Sequence, residues 1–209
     1  MEIQRTANAG VLLKLDGVSI LLDGLCDGIE NYLPTPPAIA DSLLVDLPDA
    51  LAFTHKHPDH YSEALLLPYH KQNLRPILGP EYLPEGLRIR EVTVTPVPSR
   101  HIGKTEPGLS HNSFIIKGSK CVWFMGDAAP LQWKGRSNLP KADVLIVPYA
   151  YANTKAAWDM TCALAEKVVL LHLPERSNDP YGLWQSVEVI AVGSGKQLWI
   201  PQIGETITL

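Results

Sequence analysis

This sequence predicts an α/β fold with strands gathered in facing sheets, on three observations. Short β-branched and aliphatic runs recur along the chain, two of them joined by Asp16-Gly17, a two-residue hairpin signal. Longer segments with helical patterning lie among them, at 155–167 and 181–192. The residues best suited to chemistry, His55, His101, Asp127 and His172, each stand at or just beyond the C-terminal end of an apolar strand, so facing sheets would bring them to one rim.

Residues 11–15 and 18–22 form the opening hairpin and begin a β-meander. Between 24 and 48, Pro34, Pro36, Pro37 and Pro48 leave little sustained periodicity, apart from a short helix over 38–44. A buried strand at 50–54 delivers a His-rich segment at its C-terminal end. Ser62 caps a short helix over 63–67 that Pro68 should end or kink. A strand over 92–97 leads into Pro98-Ser99-Arg100-His101, and strands over 113–116 and 121–125 flank the turn Lys117-Gly118-Ser119-Lys120. The second of these runs into Gly126-Asp127. A strand at 144–147, the helix over 155–167, a strand at 168–171 ending in His172, the helix over 181–192 and short strands at 198–200 and 206–209 follow. With no internal repeat and no low-complexity tract, residues 1–209 read as a single domain.

At 209 residues, with 45% hydrophobic and 19% charged, the chain is long enough to bury a sizeable core. Its formal charge of -4, with the two signs interspersed, offers no broad attraction for nucleic acid or an anionic membrane. The N-terminus lacks a basic start followed by an apolar stretch, and no apolar run approaches the roughly 18 residues that span a bilayer. A cytoplasmic protein is expected. Cys26, Cys121 and Cys162 are odd in number and widely spaced, which fits a reducing compartment, small buried thiols and no thiolate metal site.

The densest chemistry is His55-Lys56-His57-Pro58-Asp59-His60, three imidazoles and a carboxylate in six residues. At this composition such a cluster arises by chance in roughly four chains in ten thousand, so a metal site is the starting hypothesis. Nitrogen and carboxylate oxygen without thiolate suit Zn, and also Mn or Fe, whereas an all-oxygen Ca or Mg site would not need so many histidines. That ligand density suits two cations about 3.5–4 Å apart, served by a bridging carboxylate and a bridging water, and Asp127 is the candidate bridge.

With these residues in view the chain resembles the metallo-β-lactamase superfamily. Thr54-His55-Lys56-His57-Pro58-Asp59-His60 matches its defining motif; Asp23 in Ile20-Leu21-Leu22-Asp23-Gly24 resembles the family's early Asp, and His101, Gly126-Asp127 and His172 follow in the family's order. The resemblance covers residues 1 to about 175. It implies a four-layer αββα sandwich with the metals at one sheet edge. It further implies that His55, His57 and His101 hold one metal, that Asp59, His60 and His172 hold the other, and that Asp127 bridges. Within the superfamily, residues 10–23 and 95–101 are most similar to the L-ascorbate-6-phosphate lactonase-like hydrolases. The chain departs from common patterns at Ala128-Ala129 and Tyr149-Ala150-Tyr151, departures that bear on the substrate rather than the metals.

The implied function is a dinuclear hydrolase acting on a small metabolite, a lactone, ester or similar compound, through a metal-bridging hydroxide that Asp59 also orients. Asp23 is expected behind the ligands, accepting the N–H of a ligand imidazole. His111, ten residues beyond His101, is a candidate for substrate binding or proton donation, with replacement of His101 as ligand and a structural role as the alternatives. Tyr151 is a candidate for lining the pocket, against a place in the core. Loops 24–48, 102–111, 128–140 and 173–181 are expected to form that pocket. No nucleic-acid or membrane partner is expected, and a homo-oligomer is compatible with the reading. The competing functions are a phosphodiesterase or nuclease of the same superfamily and a non-catalytic metal-binding protein on this fold.

Overall fold

The structure is a computed structural model that describes residues 1–72, 74–103, 107–136 and 139–209. Along the chain run β1 (Glu2–Arg5), β2 (Val11–Leu15), β3 (Val18–Leu22), α1 (Pro37–Val45), β4 (Ala50–Ala52), α2 (Glu63–Gln72) and β5 (Ile77–Leu78). Next come β6 (Leu87–Ile89), β7 (Val92–Pro98), β8 (Asn112–Lys117), β9 (Cys121–Phe124) and β10 (Ala142–Pro148). The chain continues through α3 (Lys155–Leu164), β11 (Ala165–Leu171), α4 (Leu183–Ile190), β12 (Gln197–Trp199) and β13 (Thr206–Thr208).

Two sheets result, in the orders β13-β1-β2-β3-β4-β5 and β12-β11-β10-β9-β8-β7-β6. The β2–β3 hairpin turns on Asp16 at φ 51° and Gly17 at φ 73°, the pair of positive angles that the tightest hairpin turn demands and that Asp-Gly tolerates. Successive side chains on a strand face opposite sides, and the burial follows that period. Leu13, Ile20 and Ala52 pack between the sheets against Phe114, Val122, Ile146 and Val169. Their neighbours Leu12, Leu21, Leu51 and Phe53 point outward onto Ala40 and Leu43 of α1 and Leu66 and Tyr69 of α2. On the far side, Trp123, Leu145 and Val168 cover Trp158 and Leu164 of α3 and Leu183 and Val187 of α4. Three apolar seams thus separate four layers, the αββα sandwich expected. Among the described residues no helix is long and apolar enough to cross a membrane.

Parallel pairing decides where the chemistry goes. β3, β4 and β5 run parallel, as do β9, β10, β11 and β12, so within each group the strands end on the same side. β3 ends one residue before Asp23, β4 three before His55, β9 three before Asp127 and β11 one before His172.

The strands β1, β5 and β6 escape a sequence reading, and α2 runs through Pro68 instead of ending there. Pro68 removes one helical hydrogen bond, but the turn beyond it is anchored by buried Tyr69, whose hydroxyl donates to Leu43 O at 3.1 Å. The third helix stops at Leu164, earlier than its spacing predicts, because Ala165 and Lys167 pair with Ala142 and Val144 of β10. Tertiary pairing overrides helix propensity there.

Candidate metal centre

Seven side chains converge at the rim. His55, His57 and His101 form one group whose ligand atoms all lie within 4.8 Å of one another, and Asp59, His60 and His172 form another; His55, His60 and Asp127 form a third that joins them. Asp127 sits between the sets: Oδ2 lies 3.5 Å from His101 Nε2 and 3.6 Å from His172 Nε2, while Oδ1 lies 3.4 Å from His60 Nε2. Asp59 Oδ2 lies 3.0 Å from His172 Nε2, which in turn lies 3.1 Å from His60 Nε2.

The backbone that presents these groups is strained. Asp23 at φ 47° and His172 at φ 62° are in the left-handed region, which non-glycine residues rarely occupy. Gly126, at φ 51°, is required twice over, since a Cβ there would fall 2.4 Å from Thr54 Cγ2. Thr54 is the hub that the sequence reading did not single out. Its N–H donates to Asp23 Oδ1 and its hydroxyl to Asp23 Oδ2, both at 2.7 Å.

These contacts fix which imidazole nitrogen faces the centre. Because the Thr54 hydroxyl gives its proton to Asp23, it accepts from His55 Nδ1 at 2.9 Å. His60 Nδ1 donates to Asp23 Oδ2 at 2.8 Å, and His101 Nδ1 donates to Ile102 O at 2.6 Å. Each ring therefore turns a lone-pair Nε2 inward, the arrangement that orients metal-ligating histidines. His55 Nε2, His101 Nε2 and Asp127 Oδ1 are buried with no hydrogen-bond partner among the described residues, where buried polar atoms ordinarily have one. The donor set fits divalent cations.

Electrostatics agree with that fit. Burial holds the His55 imidazole well below its ordinary value, in the neutral form that ligates. Burial alone would raise the Asp127 carboxyl, but His172 and His60 more than offset it and hold it well below the usual carboxylate range. Burial likewise opposes charging His60, yet the Asp127 and Asp23 carboxylates raise it well above the usual imidazole value, so this pocket favours positive charge.

Asp23 lies behind His60, on its Nδ1. His111 and Tyr151 do not lie where substrate binding would need them. His111 Nε2 accepts the Asp127 N–H at 3.0 Å, so its proton is on Nδ1, which donates to Ser99 Oγ at 2.8 Å. Both nitrogens are engaged, and burial pushes the ring down to about 3, so it is neutral. That leaves it neither ligand nor proton donor in this arrangement; it fixes the Asp127 backbone. Tyr151 is fully buried in the seam under α3 and accepts the Trp133 indole N–H at 3.0 Å, which makes it core.

Around the rim, Tyr32 from the 24–48 loop packs edge-on against His172 with ring centres 4.5 Å apart, and Tyr149 does so at 6.1 Å. Residues 173–177 line a large cavity beside His172, together with Asn31 and Leu33. Of the other two loops expected at the pocket, residues 104–106 and 137–138 lie outside the described residues. Tyr32 had no sequence signal, since a lone aromatic in a proline-rich loop has no periodicity to reveal its direction.

Residues 2–171 match the family profile described as "Beta-lactamase superfamily domain". No curated protein matches the chain. Solved structures share the fold at low identity. One is a possible metal-dependent hydrolase from Veillonella parvula DSM 2008, 18% identical with a TM-score of 0.70 over 100% of this chain and 99% of that one. Another is the isothiocyanate hydrolase from Delia radicum gut bacteria, 18% identical with a TM-score of 0.71 over the same shares. The diiron β-hydroxylase CmlA from Streptomyces venezuelae is 15% identical with a TM-score of 0.69, over 100% of this chain and 54% of that one.

Proposed function

The chain belongs to the β-lactamase superfamily, and within it we propose a metal-dependent hydrolase of small metabolites, a lactone, ester or similar compound, worked by residues 1–209 as one unit. The observation that carries this reading is the pair of ligand groups facing each other across Asp127, with Nδ1 of His55, His60 and His101 tied down and their Nε2 turned inward. His55, His57 and His101 would hold one cation and Asp59, His60 and His172 the other, with Asp127 shared between the two sets. The nitrogen and oxygen donors suit Zn, and also Mn or Fe. When bound, such cations would supply Lewis acidity toward a water and toward a substrate oxygen.

The chain's own residues then have defined tasks. Asp59 orients the attacking water and takes its proton at a carboxylate oxygen as the new C–O bond forms. The ester or lactone C–O bond breaks, and that proton passes to the leaving oxygen. Asp59 lies between two imidazoles, His60 and His172, and Asp127 among three, these two and His101, so neither carboxylate is free to swing away. Similarity of residues 10–23 and 95–101 to lactonase-like hydrolases supports the substrate class, and the net charge of -4 speaks against a polyanionic one. A small-molecule partner, a cytoplasmic setting and compatibility with a homo-oligomer belong to the same proposal.

The test is turnover of lactone, ester and phosphodiester reporters by chelator-treated protein with and without added Zn, Mn or Fe. Metal-dependent cleavage of the lactone or ester supports the reading. Cleavage of the phosphodiester alone moves the chain to the nuclease class, and metal binding without turnover of any reporter makes it a metal-binding protein.

A further inference from the structure

A cavity of about 710 Å³ opens beside His172, within the range of small-molecule sites. Three of its wall segments are tied to that histidine. Leu173 and Pro174 follow it in the chain, Asn8 accepts its backbone N–H at 3.3 Å, and Asn31 precedes Tyr32, whose ring packs on its imidazole. The small cavity that touches Asp127 and His172 directly has about 10 Å³, room for about one water. The larger space has room for the body of a substrate.

The larger cavity is lined with apolar surface from Leu33, Leu173, Trp184, Ile200 and Ile203, and with two unusual polar groups. Arg5 is 7% exposed, and no carboxylate among the described residues lies within ion-pair distance of its guanidinium. Its nitrogens reach only carbonyl oxygens: Nε to Ala7 at 3.1 Å and Asn8 at 3.2 Å, Nη1 to Pro201 at 3.0 Å and Nη2 to Asn8 at 2.8 Å. These contacts tie the turn after β1 to the C-terminal segment, yet they leave the positive charge unmatched, where buried charges are normally paired. Burial without a compensating charge lowers even this group to about 10. Beside it, Asn8 is 1% exposed, and its Nδ2 donor has no hydrogen-bond partner among the described residues. The other cation on the wall, Arg176, already pairs with Glu188 at 2.7 Å and lies over the Trp184 ring.

We infer that this cavity binds a small organic carboxylate, with the anion between Arg5 and the Asn8 amide and an apolar body against Trp184 and Leu173. A single guanidinium and one amide match the single charge of a carboxylate better than the double charge of a phosphate ester. Resting on the hydrolase reading, this narrows the substrate class to esters or lactones that carry a carboxylate away from the bond that breaks.

The test compares phenylacetate with neutral phenylacetamide by calorimetric titration of the metal-loaded protein, wild type and Asn8→Asp. The substitution keeps the side-chain size and the backbone carbonyl that His172 uses, but places a carboxylate beside Arg5 in place of the donor. In wild type, phenylacetate should bind at least about tenfold tighter than the amide. In Asn8→Asp that preference should vanish, with metal content unchanged and thermal midpoint equal or higher, since the guanidinium gains a partner. Equal affinities in wild type would overturn the proposal. So would a preference retained in Asn8→Asp, which would put the carboxylate on the metals instead. Turnover of 4-acetoxyphenylacetate, an ester with a carboxylate away from the scissile bond, reads the hydrolase assignment separately, so its absence with the acid preference intact would remove that assignment and leave the carboxylate site standing.

Discussion

Asp23 Oδ2 lies 2.8 Å from His60 Nδ1, with both side chains fully buried. The same carboxylate holds the Thr54 N–H and hydroxyl, so one buried anion sets the tautomers of His60 and, through Thr54, of His55. Asp23→Asn keeps the shape, and Asn tolerates the positive φ at this position. It also supplies an amide donor that can reverse the His60 tautomer. Metal affinity should fall about tenfold to a hundredfold, measured by competition with a chelator. Wild-type affinity in this variant would show that the tautomer is set elsewhere.

His111 acts on the centre through the Asp127 backbone. His111→Ala leaves that buried N–H without an acceptor and opens a cavity, so stability to denaturant should drop by about 2–4 kcal/mol. Metal affinity should fall with it, while KM for a small ester at saturating metal stays unchanged. A raised KM with intact metal affinity would return His111 to the substrate pocket.

Tyr151→Phe removes the acceptor for the Trp133 indole in the seam beneath α3. A loss of about 1–2 kcal/mol in stability is expected, with turnover and KM near wild type. Altered KM at unchanged stability would contradict the place of this ring in the core.

Asp59→Asn should lower turnover by about a hundredfold or more at saturating metal, because the proton-accepting carboxylate is lost. The fold should survive, as shown by an unchanged circular dichroism spectrum. Near wild-type turnover under those conditions would remove Asp59 from the mechanism.

Much of the fold was legible because local and long-range signals agreed. The β2–β3 hairpin carried both alternation and an Asp-Gly turn, and the strand ends that carry His55, Asp127 and His172 were apolar runs of ordinary length. β5 has only two residues, and β1 reads Glu-Ile-Gln-Arg, so neither shows a period; their partners make them strands. The seven convergent residues were readable as residue types whose order matched a known pattern. The direction of a single side chain was not. His111 and Tyr151 sit near the centre in sequence terms, but Ser99 with the Asp127 amide captures one and Trp133 the other. Arg5 gave no signal at all, since an arginine at the end of a strand is normally solvated and only the fold shows that this one is buried.

The central claim is a two-cation centre spanned by Asp127, and metal stoichiometry tests it most directly. Chelator-stripped protein titrated with Zn and analysed by elemental mass spectrometry should saturate at two tightly held equivalents per chain. His101→Ala should weaken one of them and His172→Ala the other. Saturation of the wild type at one equivalent, unaffected by His172→Ala, would contradict the account.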